Sequence, residues 1–242
     1  MTLYYIFASV TGPRLPGWYN QALADGGPVY AETHPGHFIV EPWNAVSSLF
    51  IIAPAIFWAW KLRGSYGRYR FLSYCLPLAA LGGSGSTLFH AFRASSIFLF
   101  MDVLPAAVLS LSVGIYFWLK VLPKGWLVIL ILLPFLALRF AFFEYLPHHT
   151  AINLSYAVAG VTVLLPLAIH LYLTHLSGGW YILFSALLFL LALFCREADA
   201  AAANPLAMGT HFLWHLLSGA GTWLLFAYLY HYRQHEIETA SP

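Results

Sequence analysis

His211 and His215 lie four residues apart in Gly209-Thr210-His211-Phe212-Leu213-Trp214-His215-Leu216-Leu217. On a helix that spacing puts both imidazoles on one face, about 6 Å apart along the axis. The segment is apolar enough to cross a bilayer, where ionisable groups are costly and usually functional. Two imidazoles at i and i+4 can hold one metal ion, but two do not close a site. Elsewhere in the chain, His90 offers a third imidazole, Asp102 a carboxylate and Ser86 a hydroxyl one helical turn from His90. Three protein ligands and an open position are the pattern of a catalytic zinc site, whereas structural zinc usually takes four. Such an ion brings the pKa of a bound water toward about 7. Asp102 is the candidate to take the proton and return it to a leaving group, and Ser86 to donate to a developing oxyanion. The chemistry is metal-assisted hydrolysis of a carbonyl compound at membrane depth. Asp102 has a second reading, as a carboxylate that only orients a ligand histidine.

The elements that must carry these residues follow from composition. The chain has 242 residues, 61% hydrophobic and 8% charged, with a mean hydropathy of +0.74. Soluble domains carry about a quarter charged residues, so this is an all-α, polytopic membrane protein. A net charge of +2 with no basic run excludes a nucleic-acid binder. Residues 1–42, rich in Gly, Pro and Tyr, read as a polar, non-spanning N-terminal cap. Met1–Val10 is apolar without a positive n-region, which argues against a cleaved signal peptide. Seven segments near the ~20 residues a bilayer needs follow, at about 43–62, 71–91, 97–119, 125–144, 152–174, 178–195 and 209–231. They predict a seven-transmembrane-helix bundle over 43–231, and residues 232–242 a polar cytoplasmic tail.

With the N-terminus outside, the inner loops and tail hold Lys61, Arg63, Arg68, Arg70, Lys120, Lys124 and Arg233, and the outer segments only Arg14, Arg93 and Arg196. That asymmetry predicts an outside N-terminus and a cytoplasmic C-terminus. Ser86, His90, Asp102, His211 and His215 then all fall near the outer ends of their spans. Glu41 and Asn44 open the first span in the same layer, and Arg196 and Asp199 close the sixth. Scattered polar residues converging on one depth is the alignment-free sign of a site.

Other residues read more plainly. Cys75 and Cys195, in apolar segments without a C-x-x-C, are small buried side chains. His170 is expected to be packed or interfacial, and His148 and His149 to face water in an outer loop. Arg139, Glu144, Arg196 and Asp199 are expected to form structural ion pairs near the interface. The aromatic residues serve packing and the interfacial belt.

The motifs resemble the alkaline ceramidases, within a superfamily of seven-span membrane hydrolases that also takes in the progestin and adiponectin receptors. Glu41-Pro42-Trp43-Asn44-Ala45-Val46-Ser47-Ser48 looks like the family's opening motif, and Ser86-Thr87-Leu88-Phe89-His90 like its S-x-x-x-H. Asp102-Val103-Leu104-Pro105 resembles its Asp-Glu-Leu-Pro segment, and His211-Phe212-Leu213-Trp214-His215 its H-x-x-W-H. Cys195-Arg196-Glu197-Ala198-Asp199 is similar to a looser motif ending the sixth span. The resemblance implies a zinc amidase cleaving the N-acyl bond of ceramide or a related N-acyl lipid to a fatty acid and a sphingoid-type amine. It implies His90, His211 and His215 as zinc ligands, Asp102 as acid and base, and Ser86 as a transition-state partner. Eukaryotic members hold calcium with an acidic N-terminal Asp-Trp-Cys-Glu, which this chain lacks. Tyr30-Ala31-Glu32-Thr33-His34-Pro35-Gly36 resembles the bacterial form of that region, and Glu32, Glu41 and Asp25 are candidate oxygen ligands for calcium.

Other classes remain to be weighed. A lipid-sensing receptor of the same superfamily would carry the zinc site with little turnover, but its branch is expected to keep the N-terminus inside. A phospholipid acyl-ester hydrolase would use the same chemistry. A retinal photoreceptor fails for want of a lysine in the last span, and a transporter for want of a repeat or paired broken helices.

Overall fold

The computed structural model describes residues 23–200 and 206–240. Among these the secondary structure is helical: α1 (Pro42–Lys61), α2 (Arg70–Phe92), α3 (Ser96–Val121), α4 (Leu127–Tyr145), α5 (His148–Leu173), α6 (Gly179–Ala198) and α7 (His211–Ala240). Six of these helices are long and apolar enough to cross a membrane; α2 is the exception. Its 23 residues suffice in length. The run Gly82-Gly83-Ser84-Gly85-Ser86-Thr87 makes it less apolar, so six of the seven expected spans are apolar enough among the described residues. Ten of its residues are buried, against only Val128 in α4. Phe140, Phe194 and Ile56 stand exposed on other helices, a surface suited to lipid rather than water. An internal Pro in each of α1 to α5 is tolerated in membrane helices better than in soluble ones.

Two expected boundaries move. Pro147 precedes α5, so His148 and His149 form its first turn instead of a loop. The polar tail expected from residue 232 continues α7 to Ala240. It is supported there by i, i+3 and i, i+4 contacts, Arg233–Glu236 at 2.9 Å, Tyr232–Glu236 at 2.8 Å and Gln234–Glu238 at 2.7 Å.

The chain divides into two compact bodies. Of the described residues, the first comprises those up to Ala106 and from Trp180 onward, and so holds α1, α2, the start of α3, nearly all of α6, and α7. Here α1 packs against α2 and α7. Small residues allow the approach: a Cβ on Gly85 would overlap the Met101 backbone, and one on Gly219 the Phe50 carbonyl. The Ser185 hydroxyl donates to the Gly221 carbonyl at 2.8 Å, tying α6 to α7. The second body, Ala107–Gly179, is built from the rest of α3 with α4 and α5. Its α4 packs on α5, and His170 is buried with its ring 5.2 Å from that of Phe117.

Candidate metal centre

Each side chain of the centre is placed by a helix end. The last turn of α2 leaves carbonyls without intrahelical partners. The Val40 and Glu41 N–H groups fill two of them, donating to Ala91 O at 2.8 Å and His90 O at 3.1 Å. That short pairing sets Glu41, the residue before α1, beside His90. The N-terminus of α1 is capped by Glu32, whose carboxylate accepts from the Trp43 N–H at 2.5 Å and the Asn44 N–H at 2.9 Å.

The start of α7 is held in a similar way. Asp199 Oδ1 accepts from the Thr210 N–H at 2.7 Å and the His211 N–H at 3.0 Å, and Oδ2 from the Ala31 N–H at 2.9 Å. Gly209 turns the chain there at φ +75°, and a Cβ on it would overlap Asp199 Oδ1. Asp199, expected in an ion pair, is therefore the cap of α7, and Arg196 instead contacts Glu197 at 3.3 Å. Two backbone N–H groups at the start of α7 and a third from Ala31 together satisfy both oxygens of the carboxylate.

Between these ends, His90, His211 and His215 come together. All three are buried, and one ligand atom from each lies within 4.8 Å of the others. A tetrahedral ion about 2.1 Å from each nitrogen needs them roughly 3.4 Å apart, within reach of small ring rotations. Nδ1 of His90 meets Glu41 Oε2 at 2.5 Å. A carboxylate only accepts, so this nitrogen carries the proton and Nε2 keeps its lone pair. Nδ1 of His215 meets Ser47 Oγ at 2.8 Å, and the Ser47 hydroxyl reaches the Asn44 carbonyl at 3.1 Å. The imidazole then donates to Ser47, which again frees Nε2 as a ligand. The Tyr30 ring stacks on His211 at 3.8 Å. The His90 and His215 rings thus have outer partners, while Nδ1 of His211 is buried with no hydrogen-bond partner among the described residues; the set of three buried imidazoles suits a borderline-soft divalent ion.

Asp102 and Ser86 join this group. The Ser86 hydroxyl bonds the Asp102 carboxylate, and His90 is close enough to Asp102 to act on it electrostatically. Ser48 Oγ lies 3.0 Å from Ser86 Oγ and 3.3 Å from Nδ1 of His215. A continuous polar seam thus runs from Asp102 through Ser86 and Ser48 to a metal-face histidine.

Asp25, Glu32 and Glu41, the candidate calcium ligands, are each engaged by groups of the protein itself. The two oxygens of Glu32 are taken by the α1 N-terminus. Arg93 lies between the other two, bonded to both oxygens of Asp25 and to Glu41 Oε1. Glu41 Oε1 also accepts from the Thr33 hydroxyl at 2.5 Å, and Oε2 from the Asn44 amide at 3.3 Å as well as from His90. Every oxygen of the three already accepts a hydrogen bond, and the three do not converge on a point among the described residues.

Charge at the rim follows the same contacts. Burial pushes the Glu41 carboxyl up, but the bond from His90 and the Arg93 charge outweigh it and hold the group below the usual carboxylate range. Burial pushes Glu32 up to about 8, against the pull of its two backbone donors.

Ser47, Ser48 and Arg93 are the members missed as site residues from sequence. Arg93 counted there only as a loop charge, although it stands three residues after His90 at the end of α2, and no local spacing links Ser47 or Ser48 to a particular histidine. No family model matches the chain, and no curated protein matches it.

Proposed function

We propose that this protein is an intramembrane zinc-dependent lipid amidase, hydrolysing the N-acyl bond of ceramide or a related N-acyl lipid to a fatty acid and a sphingoid-type amine. The observation that carries the reading is the buried meeting of His90 with His211 and His215, their ligand atoms within 4.8 Å. These three imidazoles would hold the zinc, which when bound supplies a Lewis acid and an acidified water. The resemblance of the motifs to the alkaline ceramidases supplies the substrate class.

In this reading Asp102 takes a proton from the attacking water and delivers it to the amine nitrogen as the C–N bond breaks. Ser86, held between Ser48 and Asp102, turns its hydroxyl toward the oxygen of the tetrahedral intermediate. Glu41 and Ser47 keep the His90 and His215 rings in the tautomer that ligates. The loop charges support an outside N-terminus, with the reaction in the outer leaflet and the C-terminus in the cytoplasm.

Metal analysis of the purified protein, followed by a lipid panel, tests this. An N-acyl sphingoid base and a phospholipid are offered together in mixed vesicles. Fatty acid and free sphingoid amine are expected from the first, with about one zinc per chain. Fatty acid from the phospholipid alone would make the protein an acyl-ester hydrolase. Bound zinc with lipid binding and no turnover would make it a receptor.

A further inference from the structure

Arg93 sits in an unusual place for an arginine. It caps the C-terminus of α2 with φ 47°, a left-handed conformation that usually falls to glycine. A non-glycine residue there costs roughly 1–2 kcal/mol and persists only where the surroundings require it. The side chain is buried, and all five of its N–H donors are spent. Nε and Nη2 hold Asp25 in a fork at 2.6 and 3.0 Å. Nη1 donates to Glu41 Oε1 at 2.5 Å and the Pro28 carbonyl at 2.9 Å, and Nη2 also to the Gly27 carbonyl at 3.1 Å. The guanidinium lies 4.4 Å from the centre of the Phe89 ring. A Cβ on Gly27 would stand 2.5 Å from that ring and 3.0 Å from Nη2, so the glycine lets the backbone close over the charge.

Two buried carboxylates side by side need a cation, and a bound divalent ion is one way to supply it. Here the counter-charge is covalent. We propose that the Arg93 guanidinium is a built-in cation, which docks the segment around Asp25 onto α2 and holds Glu41 against Nδ1 of His90 without any bound calcium. Arg93 is thus a positioning residue, acting through Glu41 on the first metal ligand. Lysine is a poor replacement, because a point charge on a flexible stem cannot bridge two carboxylates and two carbonyls at once. The link to His90 rests on reading the three imidazoles as a metal site; the docking of the segment does not.

The test uses the full chain in detergent, with zinc affinity read by chelator competition and backbone protection of residues 23–41 by hydrogen exchange. Wild type is expected to show the same zinc affinity and melting temperature in calcium-free buffer without added chelator and in millimolar Ca2+. Arg93→Ala should weaken zinc binding about 10- to 100-fold and raise exchange across 23–41. Added guanidinium or Ca2+ should recover part of both. Arg93→Lys, which keeps a charge and spares the fold, should fall between. Wild-type zinc affinity in Arg93→Ala, or a Ca2+-dependent rise in the melting temperature of wild type, overturns the proposal. If wild type binds no zinc, the metal reading fails by itself, and unchanged exchange across 23–41 in Arg93→Ala still decides against Arg93.

Discussion

Glu41 and His90, 49 residues apart in the chain, share a 2.5 Å hydrogen bond in which the imidazole Nδ1 donates to the carboxylate. The same carboxylate takes the Arg93 guanidinium on its other oxygen. A member of the histidine cluster is thus oriented by a residue outside its own helix, and that residue is itself held by a third.

Removing the orienting groups should cost metal before it costs fold. Glu41→Gln and Ser47→Ala are expected to weaken zinc binding by about 10- to 100-fold each, measured by chelator competition on protein of unchanged helical circular dichroism. Wild-type affinity in both variants would show that the rings are held by packing alone.

The ligand and acid/base roles separate in a second experiment. His211→Ala and His215→Ala should lose both zinc and activity. Asp102→Asn keeps a side chain of the same shape, so it should retain zinc while turnover drops by at least about 100-fold. An Asp102→Asn protein that turns over like wild type would leave Asp102 a structural carboxylate.

Asp199 joins α6, α7 and the segment around Ala31 through three backbone N–H groups. Its replacement by Ala removes the cap of the helix that begins with His211. The expected loss is about 1–2 kcal/mol of stability, with weakened zinc binding alongside. Asn, which keeps an acceptor oxygen, should recover most of the stability. Equal melting temperatures for wild type and Asp199→Ala would contradict the capping role.

Glu32 makes a prediction about pH. Burial raises its carboxyl from the ordinary 4.5 to about 8, so between these values the folded protein holds a proton that the unfolded chain releases. Stability contributed by this group is full below pH 4.5 and declines as pH rises toward 8, at up to ~1.4 kcal/mol per pH unit. Melting curves from pH 5 to 8 should fall more steeply for wild type than for Glu32→Gln, which cannot titrate. Parallel curves would mean that the α1 N-terminus keeps Glu32 ionised throughout.

Much of this protein could be read without coordinates. Low charge and long apolar runs assign it to the membrane, because transfer of such segments to lipid is additive along the chain. The i, i+4 spacing of His211 and His215 is local, and the structure brings His90 beside them and Asp102 beside His90. Helix limits erred where a local rule changed, as at Pro147, and where charged residues continued α7 beyond the apolar stretch.

Partners were a different matter. Which groups Glu41 meets, whether Asp199 pairs with a cation or caps α7, and what Arg93 does all depend on contacts between residues far apart in sequence. Arg93 reaches Asp25 across 68 positions and Asp199 reaches Ala31 across 168. No period of 3.6 encodes such distances. They are decided when helix ends with unfilled N–H and carbonyl groups are brought together and each must find a partner.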